Sequence, residues 1–145
     1  MSAVELSTAE LLLILDSSLC CQQTHKCVIK DDAPAIVEKM KNADVIAFAS
    51  PIYYYEMSGQ LKTLLDRANP LFGSDYAFRD IYFISAAADT DEDTDKRAVS
   101  GLEGWIACFE RARLAGKIFG AGANDVGDIA GNPAVQEAYR MGRNI

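Results

Sequence analysis

The sequence predicts an α/β domain built on a parallel sheet, and three observations carry that expectation. Short apolar runs without polar alternation recur along the chain, as in strands buried on both faces. Segments with helical spacing separate them, with turn residues between. The resulting order, βαβαβαβα, requires crossovers, and right-handed crossovers give a parallel sheet. The 145 residues suffice for a single domain over 1–145 with its own core, and no repeat or low-complexity tract divides them.

The first predicted strand is Glu10–Leu15, a continuous apolar run followed by the turn residues Asp16, Ser17 and Ser18. Its competitor is a helix opened by the capping-box pattern Ser7–Glu10, and length and flanks favour the strand. Residues 16–32 read as irregular. Pro34, preceded by Asp31 and Asp32, opens a helix to about Asn42 with Ile36, Val37 and Met40 on its apolar face. Asp44–Ala49 is the clearest strand and ends at Ser50-Pro51. Ser58–Ala68 is helical, with Leu61, Leu64, Leu65 and Ala68 at helical spacing. Asp80–Ala86 is a third strand, and an acidic loop follows it. A long helix is expected from about Asp95 to Leu114, with Val99, Leu102, Ile106 and Phe109 on one side and Cys108 in the core beside them. Lys117–Ala121 is a fourth strand. Asn132-Pro133 supplies an N-cap and a first-turn proline for a last helix ending near Arg143.

Composition narrows the function classes. Hydrophobic residues make up 50% of the chain and charged residues 24%, the balance of a folded soluble domain. A net charge of −7 leaves no basic stripe for phosphate backbones, so no nucleic-acid partner is expected. The longest apolar stretch, Leu11–Leu15, is too short to span a bilayer. Glu5 and Glu10 stand where a secretion signal needs positive charge. Cys20, Cys21, Cys27 and Cys108 are too few and too unevenly placed for a disulfide scaffold, and a reduced cytoplasmic protein is expected.

In parallel sheets ligands bind beyond the carboxyl ends of the strands, which directs attention to loops 16–32, 50–57, 87–94 and 122–131. Ser50-Pro51-Ile52-Tyr53-Tyr54-Tyr55 leaves such an end. Its proline fixes the backbone, and its tyrosines offer flat faces and hydroxyls to a heteroaromatic ligand. Residue types alone leave a second reading open, in which these aromatics pack beneath the loop or in a subunit interface.

Residues 26–145 resemble the flavodoxin-like NAD(P)H-dependent FMN reductases and the related iron-sulfur flavoproteins. The resemblance rests on KCVIKDD (Lys26–Asp32), ADVIAFASPIYYYEMSGQLKTLLDR (Ala43–Arg67), AAADTDED (Ala86–Asp93) and the ending GAGANDVGDIAGNPAVQEAYRMGRNI (Gly120–Ile145). It implies a flavodoxin-like three-layer parallel sheet and a bound FMN, with NAD(P)H as co-substrate. The stretch matching Pro51–Tyr55 would lie against the flavin ring, and the loop bearing Ala88, Asp89 and Thr90 would approach it from the next strand. The flavin carries the redox chemistry, so no catalytic acid or base is assigned.

The N-terminus departs from the family pattern. Family members open with a strand, a phosphate-binding loop at a helix N-terminus, that helix, a second strand and a cysteine-bearing loop. Only 25 residues precede Lys26 here. Glu10–Leu15 is then either the second strand or, preferably, the first, with Ser17 and Ser18 a stub of the phosphate loop. The fold expected is abbreviated, with about four parallel strands and the first helix and one edge strand missing. Such a sheet keeps one face thinly covered by the last helix, so a homodimer or larger assembly is expected to bury it. Two functions follow: an FMN-dependent oxidoreductase, or a truncated, catalytically silent module used for assembly. Cys21 and Cys27 match only part of the iron-sulfur cysteine pattern, and no metal is assigned. Asp89, Asp91, Asp93 and Asp95 alternate like a calcium loop but lack its glycine and glutamate, and read instead as charges favouring the next helix N-terminus.

Overall fold

A computed structural model describes Thr24, Lys26, Cys27 and residues 29–145 of the chain. The expected strand Glu10–Leu15, the pair Ser17–Ser18, and Cys20 and Cys21 lie outside the described residues. Helix α1 (Ala33–Asn42) carries its proline in the first turn, where a missing N–H costs no hydrogen bond. Asp31 Oδ1 accepts from the Ala33 N–H at 3.0 Å. Val37 and Met40 are buried, whereas Ile36, expected on the same face, is 40% exposed. The packed stripe is narrow because α1 rests on the next helix and a short 3-10 turn rather than squarely on the sheet.

Strand β1 (Val45–Tyr53) runs through Ser50-Pro51 instead of stopping there, then turns into the two-residue β2 (Glu56–Met57). Helix α2 (Gly59–Arg67) is capped by Ser58, whose hydroxyl accepts from the Leu61 N–H at 3.3 Å. After the 3-10 turn Asn69–Leu71 come β3 (Asp80–Ala86), α3 (Lys96–Ile106), β4 (Arg113–Gly120) and α4 (Pro133–Arg143). The last helix begins as expected, with Asn132 Oδ1 accepting from the Ala134 N–H at 2.9 Å and Pro133 in the first turn.

Two further boundaries differ from expectation. Helix α3 ends at Ile106, and β4 starts four residues before Lys117, at Arg113. The chain reverses because Phe109 is drawn into an aromatic cluster, with ring centroids 4.6 Å from Trp105 and 5.2 Å from Tyr76 and Phe78. The turn is closed by the Phe109 N–H donating to Ile106 O at 2.8 Å. Val99, Leu102, Ile106 and Phe109 are all buried, but Cys108 lies in the turn and is exposed, not core.

The sheet order is β2-β1-β3-β4, with β1, β3 and β4 parallel and β2 antiparallel to β1. Ile46 and Phe48 of β1 stand beside Ile81 and Phe83 of β3. Together they form one buried cluster with Val37 and Met40 of α1, Leu65 of α2 and Leu102 and Ile106 of α3. Trp105 edges Phe48 at 5.9 Å and donates its Nε1–H to Leu65 O at 3.2 Å. On the opposite face α4 is seated on β4, where Gly116 leaves room for Met141 and the Tyr82 ring. Ala47, Ala49 and Pro51 on that face remain exposed, as expected of a thinly covered side.

Candidate functional site at the strand carboxyl ends

Parallel register brings Pro51, Ala86 and Gly120 side by side at the carboxyl ends of β1, β3 and β4. The loops leaving these ends are stitched together. Ala87 N–H donates to Gly120 O at 3.2 Å, Ala123 N–H to Ala87 O at 2.8 Å, and Gly122 N–H to Asp89 O at 3.0 Å. Gly122 takes φ +74, a left-handed turn at the point where Thr90 packs closest to it.

Strand alternation divides the residues expected from β1. Ser50 and Ile52 turn their side chains into the core, whereas Pro51 and Tyr53 face outward. The Ser50 hydroxyl is committed internally, accepting from the Ser58 N–H at 2.9 Å and donating to Pro51 O at 2.8 Å. It staples the strand end to the start of α2, so only the backbone of Ser50 and Ile52 is left to address a ligand.

Tyr53 pairs with Glu56, leaving Tyr54 and Tyr55 as the two central residues of a hairpin turn. Both are left-handed, with φ of 52° and 68°. Turns of this kind favour asparagine and glycine, and each tyrosine there costs about 1–2 kcal/mol. Yet the strain is not repaid by burial: Tyr54 is 98% exposed, Tyr53 62% and Tyr55 52%. The Arg97 guanidinium of α3 lies 5.7 Å from the Tyr55 ring centroid and steadies one side of the turn. The turn thus combines a strained backbone with aromatic faces open to solvent.

Ala88, Asp89 and Thr90 are all exposed on the neighbouring loop, while Ala87 is buried and anchors it. The Asp89 carboxyl is held below the usual aspartate range, chiefly by the Asp91 N–H that donates to it at 3.1 Å. The other acidic side chains of this loop do not converge. Asp91 Oδ1 accepts from the Asp93 N–H at 2.9 Å, and Asp93 pairs with Lys96 at 2.6 Å. Among the described residues no three His, Cys, Asp or Glu side chains gather as a metal site.

Asp95 differs from the rest: it is fully buried at the N-terminus of α3, where it makes no side-chain cap. Nothing in its sequence context set it apart from the exposed aspartates before it. Ser17 and Ser18, expected to meet a phosphate, lie outside the described residues. A cavity of 510 Å³, between α1 and the 3-10 turn and floored by Pro34, Val37, Pro70 and Leu71, is lined by none of the expected site residues.

The sequence profile of the NADPH-dependent FMN reductase family matches residues 2–125. The chain belongs to that family. An iron-sulfur flavoprotein of Methanosarcina thermophila is 27% identical over 83% of this chain and 61% of its own length. One of Methanocaldococcus jannaschii is 49% identical over 35% of the chain and 26% of its own length. The chain thus spans under two thirds of both relatives. The solved Trp repressor binding protein of Bacillus subtilis superposes with a TM-score of 0.65 at 25% identity, covering 76% of this chain and 75% of that one. The described residues form a mostly parallel four-stranded sheet, and their fold is the flavodoxin-like α/β fold of the family. No helix among the described residues is long and apolar enough to cross a membrane.

Proposed function

We propose that the chain acts as an FMN-dependent oxidoreductase of the NAD(P)H:FMN reductase type, its ring site formed by Pro51–Tyr55 and Ala88–Thr90. The observation that carries this reading is the left-handed Tyr54–Tyr55 turn, held exposed at the carboxyl end of β1 in a chain of this family. The residues present fit a flat heteroaromatic ring. Pro51 and Tyr53 offer an outward surface, Ser50 and Ile52 only backbone, and the small Ala88 leaves access from the second loop. FMN, when bound, supplies hydride and electron transfer between a nicotinamide and an acceptor. The protein's share is to orient the ring and exclude water, with no side chain assigned a proton-transfer step. Ser17 and Ser18 are assigned to the phosphate end.

The same reading includes a second copy of the chain over the face bearing Ala47, Ala49 and Pro51, supported by the exposure of that face beside the ring site. A cytoplasmic setting accords with the exposed thiol of Cys108.

Titration of the purified chain with FMN tests the central reading. Saturable quenching of flavin fluorescence is expected, and the double variant P51A/Y53A weakens binding by about tenfold without lowering helical content. A chain that leaves FMN fluorescence unchanged is the catalytically silent module instead. Unchanged affinity in the double variant moves the ring elsewhere. A monomer by light scattering, with or without FMN, removes the second copy.

A further inference from the structure

Asp95 is the one fully buried carboxylate among the described residues, and the proposed redox chemistry gives it no task. It stands where the loop after β3 enters α3, and Ser85 stands where the same loop leaves β3. The Ser85 hydroxyl, itself 2% exposed, donates to Asp95 Oδ2 at 3.1 Å, so one buried hydrogen bond closes the base of the loop carrying Ala88, Asp89 and Thr90. Lys117 Nζ, from β4, reaches within 3.7 Å of Oδ1, which has no hydrogen bond of its own. One carboxylate therefore ties together the end of β3, the start of α3 and β4. The loops beyond are joined by the bonds of Ala87 and Asp89 to Gly120, Gly122 and Ala123.

Stability alone does not account for such a group. Burying a carboxylate beside one hydroxyl and a lysine at ion-pair distance forfeits hydration that this pairing returns only in part, and apolar replacements of buried pairs are often neutral or stabilising. What the arrangement does secure is geometry, since a satisfied buried donor–acceptor pair admits few alternatives.

We propose that Asp95 is a positioning residue for the ring site, a buried clasp that, with Ser85 and Lys117, fixes the Ala87–Thr90 loop against the Gly120–Ala123 loop. Its bearing on cofactor affinity rests on the flavin reading above; its hold on the two loops does not.

The test compares S85A and D95N with the parent chain. Amide hydrogen exchange of the chain without added FMN is expected to rise by about tenfold or more at Ala87–Thr90 and Gly120–Ala123, with α1 and α2 unchanged. The double variant is expected to fall short of the summed single effects, because Ser85 and Asp95 act within one buried cluster. FMN affinity is expected to fall by about tenfold or more in D95N while folded protein is retained. If D95N fails to fold, S85A decides, because it removes only a hydroxyl. Exchange that is unchanged at the two loops, or raised uniformly along the chain, overturns the clasp. Locally raised exchange with FMN affinity equal to that of the parent overturns the positioning role, since a merely structural residue behaves that way. A parent chain that does not bind FMN sinks the flavin reading, and the exchange result then decides the clasp by itself.

Discussion

The two faces of the sheet solve different problems. One face alternates Ile46, Phe48 and Ile52 with Ile81 and Phe83 beneath three helices, all in a single buried cluster. The other presents Ala47, Ala49 and Pro51 to solvent, with α4, alone among the described helices, seated over β4. Small residues on the second face lower the cost of leaving it wet, since apolar stabilisation scales with area at about 25 cal/mol per Å². The first face thus holds the fold, and the second leaves the strand carboxyl ends approachable from one side.

Substitutions at matched positions on the two faces give the largest test. Phe83→Ala, at a fully buried site, is expected to cost about 3–5 kcal/mol. Ala49→Ser on the exposed face should stay within about 0.5 kcal/mol. Urea unfolding checks both, and similar losses would erase the distinction. Next in size is Gly116→Ala, whose new Cβ would come 3.1 Å from both Met141 Sδ and the Tyr82 ring. Lifting α4 from its seat is expected to cost about 1–3 kcal/mol. A neutral result would mean that α4 is free to slide.

Tyr54→Gly probes the rim where the two faces meet. Relief of the left-handed strain is expected to raise stability by up to about 1 kcal/mol while weakening FMN binding. Gains in both would show that the strain serves no site. Acid titration reads the smallest effect. Asp31 and Asp80 are held below the usual carboxylate range by hydrogen bonds from Arg67 and Arg113, and Asp89 by the Asp91 N–H. Folded-state values below the unfolded ones mean stability that is present above about pH 3.9 and is lost as pH falls further. Asp31 and Asp89 are exposed and Asp80 is only half-buried, so the loss should be slight and salt-sensitive. A Tm that rises on acidification from pH 4 to pH 3 would contradict it.

Strands flanked by turns were the most legible elements. Asp80–Ala86 has the expected bounds because its apolar centre is buried on the core side and half-buried on the other. β1 outran its expected end, since a proline signals a break from within the sequence, yet Pro51 stays in register with Ala86 of β3, its one strand partner among the described residues. The end of α3 was missed for a tertiary reason: Phe109 keeps the helical spacing but is placed by Tyr76 and Phe78, residues distant in sequence. At the candidate site, the residue types of Pro51–Tyr55 were readable in advance. The left-handed backbone of two tyrosines was not, because local propensity argues against it. Asp95 was invisible for a related reason, its burial being decided by Ser85 and β4 rather than by neighbours in the chain.

Trp105 gives the molecule a built-in optical reporter. It is the only tryptophan in the chain, and its indole is fixed among Phe48, Phe78 and Phe109 with its N–H on Leu65 O. Its emission therefore records the integrity of the helix-covered face alone. Excitation at the red edge of the indole band, where tyrosine does not absorb, isolates that emission from the six tyrosines. Melting of the core can thus be followed in an unlabelled sample from one fluorophore of known place.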